Sequence, residues 1–190
     1  NRYFLTLIDD YSRYCQIFFI ASKDLTFDKI RKFIEQSENQ FGKRLKILRT
    51  DRGGEFVNKR MQTYFDNKGI LHQLTAPYTP EQNGVAERKN RSLMEMARCM
   101  LYDADMHIKF WAEAVNNANY IQNRLLSAAV NVTPFELWFG KSPNLSHVRI
   151  FGAAAYVHVN KQKRRKLDDV GVKCNLVGYA DDSKAFRLLN

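Results

Sequence analysis

The stretch LKILRTDRGGEF, residues 45–56, joins a short apolar run to an acid and a pair of glycines. The apolar residues before Thr50 are typical of a short buried strand. Gly53 and Gly54 then predict a tight loop, because glycine accepts the backbone angles that such loops need. The stretch therefore predicts that a buried strand ends at Asp51 and presents its carboxylate beside the loop.

The sequence before this stretch predicts a β-hairpin and a helix. Residues 2–20 are rich in Tyr, Phe, Ile and Leu on either side of a polar break at Asp9–Arg13, as expected for two strands joined by a turn. From Thr26 to Phe41 the apolar residues recur at helical spacing, and Gly42 follows as a typical helix end. The chain therefore opens in a sheet and continues into an amphipathic helix.

The sequence after it continues this alternation. We expect a short helix that ends at Gly69, a strand in ILHQLT (residues 70–75) and a long helix over roughly Gln82–Tyr102. The stretches FWAEAVNNANYIQNRLL and TPFELWFG predict two further helices, the second beginning after Thr133. An opening hairpin followed by alternating strands and helices indicates an α/β fold, with a mixed sheet flanked by helices.

The pattern changes after Pro143. Short β-like runs at 148–159, 173–180 and 185–189 surround the basic run KQKRRK. These runs predict a small all-β module, so we divide the chain into residues 1–143 and 144–190. The basic run is a candidate for phosphate contact, for a solvated hairpin tip or for a nuclear-import signal.

The composition points to a folded protein with an anionic partner. Of the 190 residues, 45% are hydrophobic and 13% aromatic, which argues against a disordered chain. The net charge of +10 favours nucleic acid as partner, although a basic surface can also serve solubility alone. The three cysteines lie far apart and indicate neither a disulfide framework nor a zinc site. No apolar run reaches the length that spans a bilayer, so we expect no membrane partner.

Two acids are candidates for a shared site. Asp51 follows the predicted strand, and Glu87 lies near the start of the predicted long helix, with 35 residues between them. Both stand beside glycine-containing loops, and a fold can bring such positions together. Spacing alone does not decide the matter, because any α/β protein contains many such pairs.

Two motifs connect these acids to a known family. The stretches TDRGGEF (50–56) and PYTPEQNGVAERKNR (77–91) together resemble the catalytic core of retroviral-type integrases. FWAEA, TPFELWFG and HVRIFG extend the resemblance to copia-type retrotransposons, over essentially the whole chain. The resemblance implies a ribonuclease-H-like fold for the core and a small β-barrel of the Src-homology-three type after Pro143.

The same resemblance implies a metal-dependent activity on DNA. In the family, two Asp and one Glu hold two Mg²⁺ ions, for which Mn²⁺ can substitute, and the match makes Asp51 the second acid and Glu87 the third. Carboxylate oxygens suit Mg²⁺, and two ions roughly 3.5–4 Å apart can activate an attacking oxygen and stabilise a leaving one. The implied reaction is the processing of element-end DNA and its strand transfer into target DNA. The family works as a homo-oligomer in the nucleus, after a cytoplasmic particle stage.

The first acid of the family is expected upstream of Asn1, on the strand that precedes RYFLTLIDDYSR. Asp9 and Asp10 are alternatives, but they match family positions that are not ligands. The pattern at these two residues favours a turn with a salt bridge to Arg13. We therefore expect residues 1–190 to bind Mg²⁺ weakly and to be inactive alone.

Further residues are candidates for DNA contact. Gln82 and Asn83 fall in the loop that, in the family, folds over the DNA end. Arg91 lies one helical turn after Glu87, where it could bind a phosphate or pair with Glu87. Arg88 and Lys89 are candidates for general phosphate binding or for solvated charge.

Two alternatives to an active integrase stay open. The chain could be a non-catalytic nucleic-acid-binding or assembly module of a decayed or domesticated element. It could also be a ribonuclease-H-like nuclease with another substrate, although the loop and tail motifs favour integrase. Glu55 could serve loop hydrogen bonding or an accessory electrostatic role, and the four histidines show no paired spacing for a metal.

Overall fold

A β-hairpin opens the structure, as the sequence predicts. The computed structural model describes residues 2–75, 84–126, 131–180 and 183–190. Its first two strands, β1 (Tyr3–Ile8) and β2 (Cys15–Ile20), form a two-stranded sheet. The turn between them is organised by Asp9, whose carboxylate accepts hydrogen bonds from the backbone N–H and the hydroxyl of Ser12, both at 2.7 Å.

The chain divides into two compact units. The first comprises Asn1–Ile8 and Gln16–Asn90, and the second comprises Asp9–Cys15 and Arg91–Asn190. The tip of the opening hairpin thus belongs to the second unit. The domain boundary between residues 143 and 144 stays a prediction.

The first unit continues from the hairpin with alternating helices and strands. These are α1 (Thr26–Phe41), β3 (Ile47–Thr50), α2 (Lys59–Lys68) and β4 (Leu71–Leu74). Strands β3 and β4 pair in parallel, with Thr50 opposite Leu74. Both strands therefore end at the same edge of their sheet.

Helix α1 follows its sequence pattern closely. Phe27, Ile30 and Ile34 recur at helical spacing and are buried. The helix ends at Gly42, whose φ of 63° lies in the left-handed region that favours glycine. The buried face packs into one hydrophobic core with residues of β1 and α2, comprising Leu5, Leu7, Phe27, Ile30, Ile34, Met61, Phe65 and Ile70.

Strand β3 is less buried than its sequence predicts. Ile47 is 47% exposed, and within the strand only Thr50 is buried. Among the described strands, β3 pairs with β4 alone, so its apolar side chains have few neighbours to cover them. The expected strand is present and ends where predicted, but the prediction of a buried strand is wrong.

An ion pair between the C-terminal turns of α1 and α2 supports the first unit. Glu38 accepts a hydrogen bond from Lys68 Nζ at 2.6 Å and a second from the Leu45 backbone N–H at 3.1 Å. The side chains of Glu38 and Lys68 are 16% and 33% exposed. The pKa of Glu38 is lowered, chiefly by the hydrogen bond from Lys68.

Glu38→Gln should lower the free energy of unfolding by roughly 0.5–1.5 kcal/mol at neutral pH. Because the folded pKa of Glu38 lies below its unfolded value, this stabilisation is complete above about pH 5 and is lost as the pH falls through the folded pKa. Urea unfolding of both proteins between pH 7 and pH 3 measures the difference. The exposed neighbour Glu35, changed to Gln, is the control on the same helix. A difference that stays constant down to pH 3 would contradict this role.

The second unit contains helices followed by a three-stranded sheet. Helix α3 (Gly84–Asp103) starts in the first unit and continues into the second, which also holds α4 (Trp111–Gln122) and α5 (Pro134–Phe139). Thr133 caps α5 by accepting a hydrogen bond from the Glu136 backbone N–H at 3.1 Å, as its sequence predicts. The described helices show no segment long and apolar enough to cross a bilayer.

The sheet of the second unit is antiparallel, in the order β5 (Ala154–His158), β6 (Gly171–Tyr179) and β7 (Phe186–Leu189). Helix α4 packs on β6. Tyr120 of α4 stacks on Tyr179 of β6 with the ring centroids 4.2 Å apart. This contact anchors the predicted all-β module on the helices of its own unit.

Buried asparagines of α4 and of the residue after it hold the start of β2. Asn123 Oδ1 accepts a hydrogen bond from the Cys15 backbone N–H at 3.0 Å, and its Nδ2 donates to the Cys15 carbonyl at 2.8 Å. Asn119 Nδ2 donates to the same carbonyl at 2.9 Å. Asn123 is 2% exposed, so it offers the strand a polar partner where water cannot.

Asn123→Ala should destabilise the protein by roughly 1–3 kcal/mol, because it removes two hydrogen bonds from a buried peptide group. Asn123→Asp should cost more, since a carboxylate keeps the acceptor, loses the donor and buries a charge. Urea unfolding measures both changes. Asn116→Ala, at a half-buried position of the same helix, should change stability by less than about 0.5 kcal/mol. Equal stabilities of all three variants would contradict the role of Asn123 in holding the start of β2.

Candidate active site

Asp51 lies immediately after β3, as the sequence predicts. The parallel pairing continues one step beyond the strands, because the Thr75 N–H donates to the Thr50 carbonyl at 3.0 Å. Asp51 is exposed, and its Oδ1 accepts a hydrogen bond from the Gly53 backbone N–H at 2.9 Å. That bond orients the carboxylate while leaving it open to solvent.

Thr50 and His72 fix the backbone at Asp51. Thr50 Oγ1 donates to the Asp51 carbonyl at 2.9 Å and lies 2.8 Å from His72 Nε2. Because a hydroxyl has one hydrogen, His72 must donate from Nε2 to Thr50, which assigns the tautomer of a neutral imidazole. Burial lowers the pKa of His72, in agreement with the neutral form. His72 therefore helps to hold the end of β3.

The loop after Asp51 is closed by its own hydrogen bonds. The N–H groups of Phe56 and Val57 both donate to the Gly53 carbonyl, at 2.8 and 3.1 Å. Asn58 donates to the Glu55 carbonyl at 3.1 Å and caps α2. The tight loop predicted from the two glycines is therefore present and leads directly into a helix.

Two carboxylates face each other across Gly53. A Cβ atom on that residue would lie 2.8 Å from Glu55 Oε2 and 3.0 Å from Asp51 Oδ1. Glycine has no Cβ and so leaves this space to the two carboxylates, which explains why a glycine stands at position 53. Glu55 also binds Lys23, whose Nζ lies 2.9 Å from Glu55 Oε1.

Glu87 lies in the first turn of α3 and is exposed. The positive end of the helix dipole favours a carboxylate at this place. A Cβ on Gly84 would lie 2.8 Å from Arg88 Nη1, so the Arg88 guanidinium folds back over the helix start. Asp51 and Glu87 both belong to the first unit, where Asp51 follows a strand and Glu87 lies at the start of a helix.

The other predicted site residues have different outcomes. Arg91 is exposed and Lys89 is half-buried, both on α3. Gln82 and Asn83 lie outside the described residues, so their contact with a DNA end stays a prediction. The DNA contacts of the three basic residues Arg88, Lys89 and Arg91 stay predictions as well.

Asp9 and Asp10 serve the hairpin turn, as the sequence favours. Asp9 accepts the two hydrogen bonds from Ser12 described above, and Asp10 forms an ion pair with Arg13. Within residues 2–75, 84–126, 131–180 and 183–190, no group of three or more His, Cys, Asp or Glu side chains is arranged to hold a metal ion. The hard oxygen donors of Asp51 and Glu87 suit Mg²⁺, and their role as metal ligands stays a prediction.

A group of exposed cations lies in the all-β module. The basic run after β5 contains the short helical turn Lys161–Lys163, and its exposed cations are Lys161, Lys163, Arg165 and Lys166. The Arg165 backbone N–H donates to Asp168 Oδ2 at 2.6 Å, which orders the end of the run. The run can therefore present several positive charges from one short segment.

Two family models match separate parts of the chain. Residues 1–80 match the family described as Integrase core domain, and residues 153–190 match the Retroviral polymerase SH3-like domain. The chain carries an integrase core domain followed by a retroviral polymerase SH3-like domain.

Its relatives are Pol polyproteins of plant retrotransposons. The retrovirus-related Pol polyprotein from transposon TNT 1-94 of Nicotiana tabacum is 41% identical over 99% of this chain and 14% of the relative. That from transposon RE2 of Arabidopsis thaliana is 34% identical over 100% of this chain and 13% of the relative. These homologues cover essentially the whole chain, which confirms the predicted resemblance to retrotransposon integrases. The chain spans only 13–14% of their length.

Solved structures confirm the fold class. The catalytic core domain of BIV integrase has a TM-score of 0.54 and 22% identity, covering 72% of this chain and 85% of that chain. The HTLV-2 integrase catalytic core domain in complex with magnesium has a TM-score of 0.50 and 21% identity, covering 68% and 79%. The simian T-cell lymphotropic virus intasome in complex with PP2A regulatory subunit B56 gamma has a TM-score of 0.57 and 15% identity, covering 98% and 69%. The fold is ribonuclease-H-like, with a small SH3-like all-β module at the C-terminal end.

Sequence reasoning missed one partner of this site. Lys23 stands alone in the sequence between β2 and α1, with no pattern that links it to the loop after Asp51. Its contact with Glu55 joins residues 32 positions apart. The only sign of this contact in the sequence was the accessory electrostatic role considered for Glu55.

Proposed function

We propose that this chain is part of a retrotransposon integrase that processes the ends of element DNA and joins them to target DNA. The observation that carries the proposal is the position of Asp51 and Glu87. Both are exposed carboxylates of one compact unit with a ribonuclease-H-like fold, placed at the end of β3 and in the first turn of α3. Relatives that align with the whole chain are retrotransposon Pol polyproteins, which supports the integrase role.

In this proposal Asp51 and Glu87 bind Mg²⁺, or Mn²⁺ in its place. The bound metal supplies activation of the attacking oxygen and stabilisation of the leaving oxygen in phosphodiester chemistry. The resemblance assigns the first carboxylate of the family to the strand that precedes β1, so Asp51 and Glu87 are two of three ligands. A magnesium complex of the similar HTLV-2 catalytic core supports the choice of metal.

The basic residues near Glu87 bind the DNA backbone in this proposal. Arg88, Lys89 and Arg91 contact phosphates, whereas Gln82 and Asn83 contact the element end. The net charge of +10 supports a polyanionic partner. Assembly into a homo-oligomer is supported by the similar intasome structure. As part of the same proposal, the protein acts in the nucleus, following a cytoplasmic particle stage.

The substrate class tests this function. A protein extended at its N-terminus by the encoded preceding strand should join a duplex oligonucleotide with a recessed 3′ end to plasmid DNA when Mg²⁺ is present. The same protein should leave an RNA–DNA hybrid intact. Cleavage of the hybrid without joining of DNA would instead support a ribonuclease-H-like nuclease.

A second candidate is a non-catalytic nucleic-acid-binding or assembly module. The described part of the chain contains no cluster of three acids arranged for a metal, which a non-catalytic module does not need and which the first candidate explains by a carboxylate on the preceding strand. The encoded sequence before residue 1 separates the two candidates. An aspartate on an apolar strand there supports the enzyme, whereas a stop codon, a frameshift or another residue supports the module.

A further inference from the structure

Lys23 binds the loop that follows Asp51. It begins the short helical turn Lys23–Leu25 ahead of α1, and its Nζ lies 2.9 Å from Glu55 Oε1. The Glu55 side chain is 20% exposed and that of Lys23 is 57% exposed. The ion pair therefore connects the segment before α1 to the end of the glycine loop.

This ion pair is close to the Asp51 carboxylate. Glu55 Oε2 and Asp51 Oδ1 both lie within 3.0 Å of the point where a Cβ on Gly53 would stand. Two negative charges so close together repel each other, and the Lys23 ammonium on Glu55 offsets that repulsion. The pKa of Lys23 is raised, mainly by Glu55 and to a lesser degree by Asp51. The ammonium thus interacts electrostatically with both acids.

We propose that Lys23 and Glu55 are positioning residues that set how strongly Asp51 attracts a divalent cation. Glu55 adds negative electrostatic potential at Asp51. Lys23 limits that potential, because its ammonium pairs with the Glu55 carboxylate. The inference rests on the proposed function, in which Asp51 is a metal ligand.

The two residues should have opposite effects on metal affinity. Lys23→Met leaves the Glu55 charge uncompensated, so the dissociation constant for Mn²⁺ should fall roughly threefold to tenfold. Glu55→Gln removes a negative charge, so the constant should rise by a similar factor. The double variant removes one charge of each sign and should return to within about twofold of the wild type. Structural damage would not produce opposite changes that cancel.

Mn²⁺ titration of the nitrogen-15-labelled, N-terminally extended protein measures these constants without any enzymatic activity. The readout is the paramagnetic broadening of the Gly53 and Gly54 amide signals. Lys32→Met, which removes an exposed lysine of α1, is the matched control and should leave the constant unchanged. Thermal unfolding of each variant checks that the fold is retained.

Asp51→Asn separates this inference from the proposed function. Loss of the broadening in Asp51→Asn, together with the three predicted shifts, supports both. Loss of the broadening in Asp51→Asn, with identical constants for wild type, Lys23→Met and Glu55→Gln, overturns the role of the ion pair alone. Unchanged broadening in Asp51→Asn, or no specific broadening in the wild type, overturns the metal site and the inference with it.

Discussion

Asp51→Asn should lower the rate of DNA strand transfer at least about 100-fold in the N-terminally extended protein. Asparagine has nearly the same shape as aspartate, but it loses the negative charge that a divalent metal requires. Asp51 is exposed, and its Oδ1 accepts one hydrogen bond, at 2.9 Å, from the Gly53 backbone N–H, which an amide oxygen can still accept. Thermal stability should therefore change little while the activity is lost.

Glu87→Gln should have the same effect for the same reason. The matched control is Glu95→Gln, which removes an exposed carboxylate from the same helix, about two turns further along. Strand-transfer rates at saturating Mg²⁺ compare the three variants, and circular dichroism checks their folding. Full activity of either Asp51→Asn or Glu87→Gln would remove that residue from the metal site.

DNA binding by the chain should weaken steeply as salt is added. With about four to six phosphate contacts, the affinity for duplex DNA should fall roughly 10²–10³-fold between 50 and 200 mM monovalent salt. The physical reason is that each neutralised phosphate releases counterions, and this release is less favourable when the bulk salt concentration is higher. Fluorescence anisotropy with a labelled duplex measures the slope of log affinity against log salt.

Two variants identify the cations responsible for that slope. Arg91→Gln should reduce its magnitude by about 0.9, the contribution of a single phosphate contact. Replacing the exposed cations of the basic run, Lys161, Lys163, Arg165 and Lys166, with glutamine should reduce it by up to about 3.6 if each binds a phosphate. An affinity that stays constant across this salt range would show that the positive surface does not bind DNA.

The elements that carry strong local signals were predictable from the sequence. The helical spacing after Thr26 and the glycine at position 42 define α1, and Thr133 marks the start of α5. Asp51 was predictable as a strand-end residue because an apolar run and a glycine pair stand on either side of it. The burial of β3 was not predictable, because it depends on how many strands pair beside it, and local pattern does not encode that number.

Contacts between distant residues account for the rest. Asn123 and Cys15 are 108 positions apart, and Lys23 and Glu55 are 32 apart. An asparagine in an amphipathic helix gives no sign that it will bind a strand end, and an exposed lysine gives no sign of its partner. Only the fold brings these groups together, whereas the two motif acids could be assigned from the resemblance alone.

Comparison of the 190-residue chain with the N-terminally extended protein tests the proposed metal site most directly. Both proteins are assayed for Mg²⁺-dependent joining of a recessed 3′ end to plasmid DNA, each with and without Asp51→Asn. The extended protein should join DNA and lose that activity on Asp51→Asn, while residues 1–190 should be inactive. Mg²⁺-dependent joining by residues 1–190, abolished by Asp51→Asn, would contradict the assignment of the first carboxylate to the preceding strand.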